Sequence, residues 1–371
     1  MDYAQRRHRL QEALRERDLA AALLLDPINI CYLTGYWTIL SNKSATEELL
    51  VVPADGAPWM AVPGLELTLA REQSPGIEDF RYLRAYETTV GMQRFAPQSA
   101  PARIKEAVAG VPAGASLGVD LALIRLDRAR VIEEILRPYK VVDLGPVIAA
   151  MRANKDPDER RVIRECCRIA SEAAAAVARQ LTPGRSENEV AAESVKVIWL
   201  NGATVSHFCL GSGPRSAHPH ALPGSRVLEG GDFVVVDIGI LYENYWGEIC
   251  RTFVVGGPSA EQARLIDLVQ RSQTAAAETL RPGVPCCEVD EAARSVLRDA
   301  GFDDGIYIHT TGHGVGVMGA DAPLIAAHNR VPVPLDATLT LEPGLYLPGR
   351  GGIRIEDTFY LSAAGVECWT A

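Results

Sequence analysis

The segment that most constrains this chain is 232–239, Asp-Phe-Val-Val-Val-Asp-Ile-Gly. Four consecutive apolar residues, Phe233 to Val236, read as a buried strand, and they deliver Asp237 to its end. A buried carboxylate is costly unless it is paired or bound to a metal. A polar turn around Tyr242 and Glu243 follows, and then a return run, Tyr-Trp-Gly-Glu-Ile-Cys-Arg-Thr-Phe at 245–253. A hairpin centred between 242 and 243 sets Glu248 opposite Asp237, both side chains on one face. Two carboxylates so placed repel each other unless one holds a proton or a cation sits between them.

Three later segments add to that pair. His309-Thr310-Thr311-Gly312-His313-Gly314-Val315-Gly316 is a glycine-rich stretch with two histidines. Leu341-Glu342-Pro343-Gly344 follows, then Gly352-Ile353-Arg354-Ile355-Glu356-Asp357. Strand alternation in the last segment puts Arg354 and Glu356 on the polar face and Ile353 and Ile355 on the other. Each piece alone has a bland reading as a turn, a loop or a surface ion pair. Together, Asp237, Glu248, His313, Glu342 and Glu356 supply four carboxylates and one imidazole. That is a donor set for two divalent ions, suiting Mn, Co, Zn or Fe. Two such ions ~4 Å apart can share a hydroxide and polarise a carbonyl.

The rest of the chain frames this site. Its 371 residues predict two domains, and a 47% hydrophobic, 23% charged composition is that of a globular protein. Its net charge of −10, without a basic patch, argues against a nucleic-acid partner. No run approaches the ~20 apolar residues of a membrane helix. The first eight residues are charged and lead into an amphipathic pattern, unlike a signal peptide. Eight cysteines without a C-x-x-C read as reduced thiols, and the expected location is cytoplasmic.

Up to about residue 150 the signals alternate. Strands are expected near 20–25, 48–53, 59–63 and 140–144, and helices near 10–14, 104–108 and 129–136. The polar stretch Asn154 to Glu159 marks a boundary and opens a long helix, with Pro157 in its first turn. Ser186 and Glu189 form a capping box for a second helix. Strands follow, then helices near 260–280 and 287–300, then strands again. The predicted class is α+β: an N-terminal α/β domain at 1–153 and a catalytic domain at 154–371.

The ordered set VVVDIG, EICRTF, TGHGVG, LEPG and GIRIED resembles the pita-bread metallohydrolase family, which includes aminopeptidase P, prolidase and methionine aminopeptidase, with creatinase as a metal-free relative. The Leu33-Thr34-Gly35-Tyr36 segment resembles the creatinase-like N-terminal domain of the proline-specific branch. The resemblance implies a two-fold pseudo-symmetric antiparallel sheet covered by helices. It puts Asp237, Glu248, His313, Glu342 and Glu356 on metal-ligand positions. His220, in Ser212-Gly213-Pro214-Arg215-Ser216-Ala217-His218-Pro219-His220, falls on a catalytic histidine. Arg354 falls on an arginine that holds a substrate carboxylate; an ion pair with a ligand carboxylate is the alternative. His309 and Trp37 are expected at the substrate pocket, and a homodimer is expected.

Two positions depart from the family pattern. Glu248 stands where the family has aspartate. Ala320 stands where the peptidases carry a second histidine, seven residues after His313. The implied function is cleavage of an X-Pro amide bond in a short peptide by water activated between two metal ions. The alternatives are a small-molecule amide or guanidino hydrolase or lyase of the same fold, and a non-catalytic binding protein.

Overall fold

The computed structural model describes residues 1–39, 41, 48–83, 99–122, 124 and 126–370. The chain divides into two compact units, Met1–Met151 and Arg152–Ala371.

The first unit is built on six strands: β1 (Leu19–Leu24), β2 (Leu49–Pro53), β3 (Trp59–Pro63), β4 (Asp79–Leu83), β5 (Ser116–Val119) and β6 (Lys140–Asp143). Their order across the sheet is β4-β3-β2-β1-β5-β6. The pairs β1–β2 and β2–β3 are antiparallel, and the remaining pairs are parallel. Apolar side chains of the central strands pack with Ile104, Val108, Ile132 and Leu136 from the covering helices. The helix Pro27–Thr34 is capped by Asp26 and stops at Gly35, whose φ of 88° is left-handed. Asp120 accepts the N–H groups of Leu25 and Asp26 at 2.7 and 3.0 Å, tying the end of β5 to the start of that helix.

The second unit repeats one arrangement, two helices followed by antiparallel strands. The helices Pro157–Ala178 and Glu187–Leu200 open on capping boxes, Asp156 with Glu159 and Ser186 with Glu189. They precede a three-stranded sheet of β7 (Thr204–Ser212), β8 (Phe233–Tyr242) and β9 (Tyr245–Val254). The helices Ala260–Thr279 and Cys286–Asp299 come next, the first again on a capping box, Ser259 with Gln262. After them come β10 (Gly312–Gly314), β11 (Asp321–Ile325), β12 (Ala337–Leu341), β13 (Gly344–Leu347), β14 (Gly351–Arg354), β15 (Asp357–Ser362) and β16 (Gly365–Cys368). Five of these form a sheet in the order β11-β10-β12-β15-β16, and β13 pairs with β14. A bridge between Cys250 and Glu356 joins the two sheets. Leu265, Leu268, Val269, Val289 and Leu297 pack on Leu339, Leu341 and Phe359 to make the core under the larger sheet. All eight cysteines are unbridged. Among the described residues no helix is long and apolar enough to cross a membrane.

The β8–β9 hairpin corrects the expected register. Its turn residues are Glu243 and Asn244, at φ 48° and 66°, so Tyr242 pairs with Tyr245. Two left-handed central residues make the two-residue turn whose twist matches the strands. Asp237 therefore faces Cys250, and Glu248 faces Gly239. The offset from the expected pairing is two residues. Since side chains alternate with period two, Asp237 and Glu248 still share one face.

Candidate metal centre

Three neighbouring strands set out the site in two rows. Directly opposed residues give Cys209–Asp237–Cys250 in one row and His207–Gly239–Glu248 in the next, all on one face. Asp237 is buried and fully engaged. Its Oδ2 is ion-paired with Nη2 of Arg354, and its Oδ1 lies 3.0 Å from Nε2 of His207. Burial alone would raise its pKa, but the charges of Arg354 and His207 outweigh burial and hold it below the ordinary carboxylate range.

Glu248 and Glu356 are 4% and 3% exposed, so both sit almost without water. One oxygen of each and one ring nitrogen of His313 lie within 4.8 Å of one another. Burial raises the pKa of Glu356 well above its usual value, and Glu342, Asp237 and Glu248 add to it by repulsion. Glu248 is also raised, chiefly by burial; His313 and then His207 pull it back.

His313 is held in a strand that only glycine neighbours permit. A Cβ on Gly312 would collide with the carbonyl oxygen of Thr340. The ring Nδ1 lies 3.1 Å from the carbonyl oxygen of Gly314, which assigns the proton to Nδ1 and the lone pair to Nε2. That Nε2 is 3.6 Å from Glu248 and 3.5 Å from Glu342. Burial lowers the imidazole pKa, but the two carboxylates outweigh burial and raise it. A nitrogen lone pair turned toward two carboxylates is balanced only by a proton or a cation. The donors present, carboxylate oxygens and one imidazole, fit a divalent ion of the Mn to Zn series.

The segments around these side chains lock to one another. Arg251 donates to the carbonyl of Glu356 at 2.7 Å and to Asp357 at 2.6 Å. Thr252 exchanges hydrogen bonds with the backbone of Arg354 at 2.8 and 2.9 Å. Gln273, from the helix behind the sheet, reaches Asp357 at 3.1 Å. Asp290 accepts from Thr311 at 2.7 Å, and Arg294 donates to the carbonyl of His309 at 2.5 Å, fixing the stretch that leads to His313.

Arg354 is ion-paired with Asp237. It is 1% exposed, and its guanidinium serves Asp237, the Tyr346 hydroxyl at 3.0 Å and the carbonyl of Pro219 at 3.1 Å. His309 donates from Nδ1 to the Thr310 carbonyl, 2.8 Å away, so its Nε2 accepts from Tyr346 at 2.7 Å. His309, Tyr346, Arg354, Asp237 and His207 thus form one continuous chain of polar contacts.

His220 lies exposed in the turn after Gly213–Ala217, and no hydrogen bond among the described residues joins its ring to the carboxylates. Its neighbour Pro219 is the residue that Arg354 touches. Trp37 belongs to the N-terminal unit, half-buried, with its backbone N–H donating to Oε1 of Gln73 at 2.9 Å. Ala320 is exposed. The preceding Gly319 approaches the Trp246 ring and Glu248 so closely that a Cβ there would reach 2.8 Å from Oε1. Sequence reasoning missed His207 and Tyr346. Tyr346 lies only four residues after Glu342. His207 lies in no motif, and only the pairing of β7 with β8 places it beside Asp237.

Comparison with known proteins agrees with this architecture. Residues 161–363 match the profile of metallopeptidase family M24, and residues 6–154 match the creatinase/prolidase N-terminal domain. The chain is 29% identical to an Xaa-Pro dipeptidase of Pyrococcus furiosus, over 98% of this chain and 97% of the other. It is 34% identical to a probable dipeptidase PepE of Mycobacterium bovis, over 98% and 93%. The crystal structure of dipeptidase PepE from Mycobacterium ulcerans superposes with a TM-score of 0.85 at 31% identity, covering 100% of this chain and 95% of that one.

Proposed function

The chain belongs to metallopeptidase family M24, a family of metal-dependent hydrolases, and on that premise we propose that it is a dipeptidase cleaving Xaa-Pro bonds in short peptides. The observation that carries this reading is the convergence of Glu248, His313 and Glu356 within 4.8 Å, with Nε2 of His313 turned toward Glu248 and Glu342. Asp237, Glu248, His313, Glu342 and Glu356 would hold two divalent ions, Mn, Co, Zn or Fe. Bound ions of this kind supply Lewis acidity and make water a nucleophile near neutral pH.

The remaining roles fall to the chain itself. Arg354 keeps Asp237 ionised and fixes the direction of its carboxylate. Tyr346 and the Thr310 carbonyl orient the His309 ring, whose pKa burial lowers, so it stays neutral and suited to contact a peptide group. His220, exposed beside Pro219, is the group we assign to proton exchange with solvent. At position 320 an alanine cannot donate to a developing oxyanion, so turnover is slower than a histidine there would give. The named relatives are peptidases; the guanidino hydrolase, lyase and binding-protein readings gain no support from them. We also propose a homodimer in a reducing, cytoplasmic setting. Eight unbridged thiols and an edge strand, β6, that exposes Val141 and Val142 support this.

Elemental analysis of the purified protein and of its Asp237→Ala and Glu356→Ala variants tests the ligand set. Metal in the parent and its loss from the variants is the expected outcome. Equal metal content in all three would refute the assignment.

A further inference from the structure

His207 is the residue of the carboxylate face that the reading above leaves without a task. It comes from β7, directly opposite Gly239, immediately after a β-bulge at Ser206. Bulges next to functional sites kink a strand and turn its side chains. The ring lies against Gly239: any Cβ at that position would collide with its Cε1 and Nδ1. Trp246 backs it, with ring centroids 6.0 Å apart at 32°. The imidazole is thus seated in a cradle made by a glycine and an aromatic face, with its Nε2 edge toward Asp237.

We propose that His207 Nε2 is a metal ligand that completes, with Asp237, the ion position on the β7–β8 side of the site. The proposal rests on the dinuclear metallopeptidase reading and extends it. Arg354 occupies Oδ2 of Asp237, so an ion would take Oδ1, the oxygen that faces His207. His207 Nε2 lies 3.0 Å from that same Oδ1. Two ligand atoms ~2.1 Å from one ion and at right angles to each other are ~3.0 Å apart, so the pair already has the bite of cis ligands. A shift of the ring proton from Nε2 to Nδ1 converts the hydrogen bond into a coordinating lone pair without moving the ring. Glu248 lies at the other end of the same row across Gly239, 3.6 Å from Nε2 of His313. One ion position then has His313 and the other His207, each with carboxylate partners. The added nitrogen shifts metal preference from manganese toward cobalt and zinc.

Titration of the metal-free full chain with cobalt(II), followed by calorimetry and visible absorption, tests the proposal. The parent takes up two equivalents. His207→Ala keeps the tighter one and binds the second at least ~100-fold more weakly, with a changed visible band. His207→Asn, which can still donate an N–H to Asp237 but is a poor ligand, behaves as the alanine variant does. Two unchanged equivalents in His207→Ala, or parental affinity restored in His207→Asn, would overturn the assignment and leave His207 as a hydrogen-bonding partner of Asp237 only. A parent that binds fewer than two equivalents would instead overturn the dinuclear reading beneath it.

Discussion

Replacing Glu356 by glutamine reverses sign with metal. In the metal-free protein Glu356 and Glu248 are buried, and their oxygens lie within 4.8 Å of each other. At an effective dielectric of ~20, two full charges at that separation repel by about 3.5 kcal/mol. Protonation of either carboxyl limits the effect, since each pH unit by which a pKa is raised amounts to about 1.36 kcal/mol. Both pKa values are raised in the folded state. The stability tied to these groups is therefore full below the unfolded carboxyl pKa of about 4.3 and is lost as pH rises through the folded values. Glutamine carries no charge and escapes that loss. With chelator, Glu356→Gln is expected to match the parent near pH 5 and to exceed it by ~1–3 kcal/mol at pH 8. With a divalent ion at 100 times its dissociation constant, the parent gains ~2.7 kcal/mol and the variant loses most of that gain. Urea unfolding at both pH values, with and without cobalt(II), reads all four quantities. Equal destabilisation by Glu356→Gln under every condition would refute the electrostatic argument.

Two further outcomes follow from the same geometry. Arg354→Met removes the partner of a buried carboxylate and should destabilise the metal-free protein by ~3–5 kcal/mol, measured by urea denaturation; a change under 1 kcal/mol would show that Asp237 does not depend on it. Ala320→His should raise kcat for an Xaa-Pro dipeptide by ~100-fold or more, since one well-placed donor is worth ~3 kcal/mol. An unchanged or lower kcat would mean that the 320 position does not reach the reacting carbonyl.

Much of the fold was legible because local signals agree with tertiary structure. The apolar run at 233–236 is buried from end to end, and the capping box at Ser186 opens the helix that the sequence predicts. Pro157 lies in the first turn of the long helix, as read. Short elements escaped. β5 has four residues with a glycine among them, and β4 alternates charge with aromatic side chains, so neither shows a strand signature. The hairpin register was misjudged because the turn residues are Glu243 and Asn244, and glutamate is an unusual occupant of left-handed backbone. The five proposed ligands stood in motifs and could be proposed from them. His207 could not, because its place beside Asp237 depends on which strand pairs with β8 and in what register, a non-local fact. Arg354 carried two readings because sequence gives residue type but not burial. At 1% exposure its guanidinium belongs to Asp237 and Tyr346.

The most direct test of the account is proline release from Xaa-Pro dipeptides by one preparation, measured metal-free and again after reloading with manganese, cobalt or zinc. The account predicts no release without metal, restored release with at least one of these ions, and no restoration in Glu356→Ala. Undiminished release by metal-free protein, or none from any Xaa-Pro dipeptide with two ions bound, would contradict it.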